Sequence, residues 1–188
     1  MSPGPLAPLV LVVGPSGAGK DSLIDGARRI LAGDPGFHFV RRVVTRQAIG
    51  EDHDTMTQDA FDVAEREGAF ILSWRAHGLA YGIPAAAQAH RAAGTVAVAN
   101  ASRLAIPEAR RHLAPIHIVA VTAAAEALAA RIARRGREDA ESLRERLRAA
   151  AIELPKGPDV TRLDNDGTLD AGIASFVAAL RAVRDQAI

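Results

Sequence analysis

An all-apolar run, Leu9-Val10-Leu11-Val12-Val13, leads into Gly14-Pro15-Ser16-Gly17-Ala18-Gly19-Lys20-Asp21, and a helical pattern starts directly behind it. This strand–loop–helix sequence limits the fold more tightly than anything else in the chain. Five consecutive apolar residues bounded by glycine read as a strand buried on both faces. The loop satisfies G-x-x-x-x-G-K-[ST] at every position but the last, where Asp21 stands in place of a hydroxyl residue. Glycines at 14, 17 and 19 let the backbone fold around a phosphate chain with its N–H groups turned inward. The helix starting near Lys20 points its positive end at the same anion. Lys20 is placed to bridge β- and γ-phosphates. The nucleotide-binding candidates are therefore Gly14, Pro15, Ser16, Gly17, Ala18, Gly19, Lys20, Asp21 and Ser22.

At 188 residues the chain has room for one domain with a sizeable core. A net charge of +1 supplies no global field for nucleic acid or an anionic membrane. With no cysteine, the chain has neither disulfides nor thiolate metal sites, which fits a reducing, cytoplasmic location. Residues 1–8 read as a loose tail and 9–188 as a single domain. No apolar run is long enough for a membrane span.

Helical spacing continues to Leu31, with Gly33-Asp34-Pro35-Gly36 as the stop. Phe37 to Thr45 reads as one strand, on which Arg42 and Arg46 share a face at period two. A polar loop follows at 50–54, then a helix over Gln58–Glu67 capped by Thr57. Ala69–Trp74 reads as a strand, His77–Gly82 as a glycine-punctuated loop, and Pro84 as the start of a helix ending at Gly94. Further strands are expected at Thr95–Ala99, Ile116–Val121 and Asp159–Leu163. Helices are expected from Pro107 to about His112, at Ala123–Arg135, at about Ala140–Glu153 and at Thr168–Val183. Apolar strands alternating with helices imply an α/β fold with a parallel sheet covered on both faces. Ligands then gather at the carboxyl ends of the strands, near Gly14, Asn100 and Thr122.

Three constellations carry chemistry. In the usual loop a hydroxyl and an acid from another strand hold Mg²⁺. Here the strand over 95–99 ends in Asn100, so Asp21 either restores the carboxylate to the metal shell, assisted by Ser22, or complements the helix dipole. Residues 131–148 hold seven arginines (Arg131, Arg134, Arg135, Arg137, Arg144, Arg146 and Arg148) against four acids. That run is either a solvated helix face or, beside a phosphate loop, positive charge that closes over the transferring group. On the acceptor side, Arg42, Arg46 and Tyr81, with Arg75 and Arg103 in reserve, are candidates to clamp a phosphorylated acceptor. His53 rests only on these neighbours.

Together these runs resemble the guanylate-kinase-like P-loop kinases along nearly the whole chain: Thr45-Arg46, Gly78 with Tyr81-Gly82, Arg131…Arg135-Gly136, Arg146-Leu147 and Asn165-Asp166 occur in that family's order. Leu72 and Asn100 stand where guanylate kinases carry carboxylates for the base, and Arg42 replaces a small hydroxyl residue. More specifically, Gly14–Ser22, Leu72-Ser73-Trp74 with His77-Gly78, Asn100-Ala101-Ser102-Arg103 with Pro107, Arg135-Gly136-Arg137-Glu138 and Asn165-Asp166-Gly167 resemble the ribose 1,5-bisphosphate phosphokinases of bacterial phosphonate breakdown. The resemblance implies a P-loop NTPase fold with an acceptor-binding arm over about 37–93 and an arginine-rich lid over about 134–148. It implies ATP and Mg²⁺ as cofactors and a small sugar phosphate as acceptor, giving 5-phosphoribosyl 1-diphosphate. Lys20, Arg131, Arg135 and Arg146 would be catalytic, Asn165 would contact the nucleotide, and Asn100 and Arg103 the acceptor. A nucleoside monophosphate kinase or a non-catalytic binding module of the same fold is the alternative.

Overall fold

In the computed structural model, residues 5–46, 53–124 and 153–187 are described. The expected parallel sheet is present. Its strands are β1 (Leu9–Val13), β2 (Phe37–Phe39), β7 (Val96–Asn100), β8 (Ile116–Thr122) and β9 (Val160–Asp164), in the order β2-β7-β1-β8-β9, every neighbour parallel. β1 lies at the centre and all five of its residues are buried. Period two sends alternate side chains to opposite faces. Val10 and Val12 pack under α1 (Lys20–Ile30) and α5 (Leu169–Gln186), against Leu23, Ala27, Phe176 and Leu180. Leu9, Leu11 and Val13 face the other way, towards Ile106 and Ala109 of α4 (Ile106–His112). A continuous apolar strand is thus what a sheet covered on both sides demands.

The second sheet has four strands, in the order β4-β3-β6-β5: β4 (His53–Thr55), β3 (Arg42–Val44), β6 (Leu79–Pro84) and β5 (Phe70–Ala76). Its Leu72, Trp74 and Ile83 join the core beneath β1 and α4. The opposite face packs Val43, Ala80 and Phe70 on Phe61 of α2 (Gln58–Arg66), with the Phe61 and Phe70 rings 4.6 Å apart. Thr57 caps α2, its Oγ1 accepting from the Ala60 N–H at 3.3 Å, as its sequence position predicts.

Several expectations change here. Phe37–Thr45 is two strands in two sheets, because β7 pairs an edge partner only over Val96–Val98 and the chain then crosses to the smaller sheet. β3 ends at Val44 and Arg46 lies beyond it, so period two does not put Arg42 and Arg46 on one strand face. The loop expected at His77–Gly82 is mostly strand β6. His77 and Gly78 alone form the turn, with φ of 53° and 71°, the two positive values a tight two-residue hairpin requires. Pro84 closes β6 rather than opening α3 (Ala86–Ala92). At the tail boundary, Ala7 is buried and its N–H donates to the Arg91 carbonyl at 2.9 Å, so it belongs with the fold.

Candidate active site

The phosphate loop joins β1 to α1, at the carboxyl edge of the central sheet. Gly14, Gly17 and Gly19 all have positive φ (149°, 84° and 91°), which turns the backbone through a curve L side chains resist. At Gly14 the constraint is doubled: a Cβ there would lie 2.1 Å from the Val121 carbonyl oxygen of β8. Lys20 reaches back over this curve, and its Nζ donates to the Gly14 and Pro15 carbonyls, each at 2.9 Å. The ammonium group is therefore already held where phosphate oxygens would lie in such a loop.

Asp21, exposed in the first turn of α1, does more than meet the helix dipole. Asn100, at the end of β7, donates its amide Nδ2 to Asp21 Oδ1 at 2.6 Å. Asp21 and Ser22 supply one carboxylate and one hydroxyl, hard oxygen donors of the kind Mg²⁺ takes while keeping waters and phosphate oxygens for its remaining positions. Among the described residues no group of three or more His, Cys, Asp or Glu gathers. A metal here would therefore be held largely by its phosphates, and the donor set suits that arrangement.

Asn165, expected to contact the nucleotide, is buried at the end of β9, with its Nδ2 donating to the Ala18 carbonyl at 2.8 Å. Its N–H bonds the Thr122 carbonyl at 2.8 Å. It braces the loop from beneath. Next to it, Asp166 Oδ1 accepts the Ala124 N–H at 2.5 Å, fixing the exit of β8. Only the motif order pointed at this pair; its bracing role was not visible in the sequence.

The acceptor candidates divide. Tyr81 stacks flat on Trp74, its cross-strand partner, at 5.4 Å and 2° between planes. The Arg42 guanidinium lies 5.5 Å from the other partner of that stack, the Tyr81 ring. Trp74, named only within a motif, is thus part of the mount that holds Arg42. Arg75 points the opposite way, as period two requires, and pairs with Asp62 at 2.8 Å and Glu65 at 2.7 Å on α2. Those hydrogen bonds raise its pKa and remove it from the acceptor side. His53 is buried on β4, opposite Arg42 in register. Arg103 is half-buried in the short helical turn Arg103–Ala105, and burial lowers its pKa. Arg46 is exposed just past β3. Arg131, Arg135 and Arg146, with the rest of the arginine cluster, lie outside the described residues.

One residue escaped sequence reasoning altogether. Arg91 is fully buried on α3 and donates to the carbonyls of Ala7, Leu113 and Pro115 at 2.8–2.9 Å and to Gln88 Oε1 at 2.9 Å. An arginine at a helix end gives no sequence signal for such a role.

The chain is 46% identical to the ribose 1,5-bisphosphate phosphokinase of Agrobacterium fabrum, over 87% of this chain and 91% of that protein. With the enzyme of the same description from Rhodopseudomonas palustris it shares 47% identity, over 95% and 90%. The chain belongs to the ribose 1,5-bisphosphate phosphokinase family. It is a phosphotransferase with a nucleotide donor. Its fold matches the guanylate kinase of Anaplasma phagocytophilum with a TM-score of 0.63 over 97% of this chain and 87% of that one, at 14% identity. That likeness establishes the P-loop NTPase architecture. No protein-family model matches the chain.

Proposed function

We propose that this kinase transfers the γ-phosphoryl group of ATP to the 1-phosphate of ribose 1,5-bisphosphate, giving 5-phosphoribosyl 1-diphosphate and ADP in phosphonate breakdown. The observation that carries this reading is the 46–47% identity, over nearly the full length of both chains, with kinases described by that acceptor. The site is consistent with it. Leu72 is buried in the core beneath β1, and Asn100 presents an amide bonded to Asp21, so neither position offers a guanine edge the carboxylate it needs. The use of ATP also accords with a cytoplasmic enzyme, where that donor is made.

The chemistry asks for charge neutralisation more than for a base. A phosphate monoester oxygen is already anionic near pH 7, so its lone pair needs no deprotonation before it attacks the γ-phosphorus. The new P–O bond forms on one side as the bond to the β-phosphate oxygen breaks on the other, and ADP leaves with that electron pair. Lys20 offsets the charge on the β- and γ-oxygens while the glycine loop fixes their direction. Mg²⁺, when bound near Asp21 and Ser22, would supply further neutralisation of those oxygens. Arg42, mounted on Tyr81, and Arg46 would hold the acceptor's phosphates, with Arg103 and Asn100 at the edge of that pocket. Arg131, Arg135 and Arg146 would cover the transferring group and exclude water. The test is phosphorus NMR of purified protein with ATP, Mg²⁺ and ribose 1,5-bisphosphate. Coupled diphosphate doublets appearing with ADP support the reading. ATP hydrolysis alone, with the acceptor unchanged, contradicts it.

A further inference from the structure

The contact between Asp21 and Asn100 joins residues 79 apart in sequence across the mouth of the phosphate loop. In most phosphate loops of this type the metal is held by a hydroxyl at the start of the helix and by an acid at the end of a neighbouring strand. Here the helix position carries the acid, Asp21, and β7, directly beside β1, ends in a neutral amide. We propose that Asn100 is a positioning residue for Asp21, and that the two sites carry the acid and its neutral partner in the reverse of the usual order.

The amide is the residue type this role needs. A carboxylate at 100 would face Asp21 at hydrogen-bond distance, acceptor against acceptor with no donor between them. A lysine or arginine there would pair with Asp21 and cancel the charge a metal requires. An amide N–H does neither: it orients the carboxylate and adds no charge beside it. The orientation is unambiguous, since a flipped amide would set oxygen against oxygen at 2.6 Å. Asn100 Oδ1 is meanwhile buried and accepts no hydrogen bond among the described residues, so the bond to Asp21 is what fixes the side chain's rotation. Among the described residues that bond fills one acceptor position on a carboxylate that has about four, and leaves others for a metal or its waters. Partners that orient a ligating carboxylate commonly govern metal affinity by about 10- to 100-fold.

This inference rests on the kinase reading, and its test separates the two. ATP binding is measured by calorimetry with and without Mg²⁺, in the absence of any acceptor, so that a part played by Asn100 in holding the acceptor cannot move the result. The readout is the ratio of the two dissociation constants. Wild type is expected to bind ATP more tightly with Mg²⁺. Asn100→Ala should shrink that ratio about tenfold while leaving metal-free ATP binding unchanged, and Asp21→Ser should shrink it further. Exchanging the pair, Asp21→Ser with Asn100→Asp, should regain most of it, because the acid then sits at the strand end and the hydroxyl on the helix. Melting curves accompany each variant, and Asn100→Ser replaces alanine if β7 is unsettled. An unchanged ratio in the position-100 variants, or an exchange no better than Asp21→Ser alone, overturns the proposal. Wild type that binds no ATP overturns the kinase reading and this inference together. Wild type that binds ATP indifferently to Mg²⁺ overturns the inference alone.

Discussion

The central sheet and the four-stranded sheet present two ways of building half a site. The donor half is made of backbone: a loop whose φ angles are set by glycines, seated against the Val121 carbonyl and braced from below by Asn165. The proposed acceptor half is made of side chains, a ladder of Trp74, Tyr81 and Arg42 on strands of three to seven residues. A backbone site tolerates exchange of most side chains but not a change of curvature. A side-chain site behaves in the opposite way. The difference predicts where each kind of damage appears, in donor binding or in acceptor binding, and the following variants are chosen to break it.

The largest effect belongs to Lys20→Ala. Its Nζ donates to the Gly14 and Pro15 carbonyls of the loop and serves phosphate charge, so the fold should survive while turnover falls on the order of 10²-fold or more. An ADP-release assay alongside a melting curve checks both halves of that statement. Next is Arg91→Ala, on α3, where the segments that lead into β1 and β8 meet. It takes the side-chain donor from the buried Ala7 and Leu113 carbonyls, while the Pro115 carbonyl keeps the Leu9 N–H, and a loss of about 3 kcal/mol is expected in denaturant unfolding, as one transition rather than two. Two separate transitions would show that the halves are energetically independent. Arg42→Ala should lower kcat/KM for the acceptor about 10- to 100-fold, with KM for ATP unchanged. A matching rise in the ATP KM would undo the division between the halves. The smallest effect concerns the edge of the central sheet, where His38 on β2 stacks on His90 of α3 with centroids 3.6 Å apart. Burial, and then the charge of His90, lower the His38 pKa from 6.5. Between that lowered value and 6.5 the unfolded chain binds more protons, so stability falls as pH drops through 6.5 and levels off below the folded pKa. His38→Gln should flatten that slope in melting curves taken across pH 5–8.

The same contrast explains what was legible in the sequence. Strands buried on both faces leave continuous apolar runs, so β1, β7 and β8 could be placed to within a residue or two. Phosphate geometry leaves glycines and a lysine at fixed spacing, so the loop could be read directly. The small sheet leaves weaker marks. Phe37–Thr45 has the composition of one strand whichever sheet each part joins, and the hairpin turn at His77-Gly78 lacks the Asn-Gly or Asp-Gly pair that announces such turns. Side chains that act through distant partners leave no local pattern. Arg91 on its buried carbonyls, Asn165 under the loop and Asn100 beside Asp21 became visible only once the fold brought their partners close.

Acceptor choice is where the account stands or falls. The direct measurement is kcat/KM for ribose 1,5-bisphosphate and for GMP with the same enzyme, at saturating ATP and Mg²⁺. A site of charged groups with Leu72 and Asn100 in place of base-reading carboxylates should favour the sugar bisphosphate on the order of 10³-fold or more, because each group a ligand fails to meet is left unpaired. GMP turned over as fast as the sugar bisphosphate, or faster, would contradict the account and make the chain a guanylate kinase with an altered pocket.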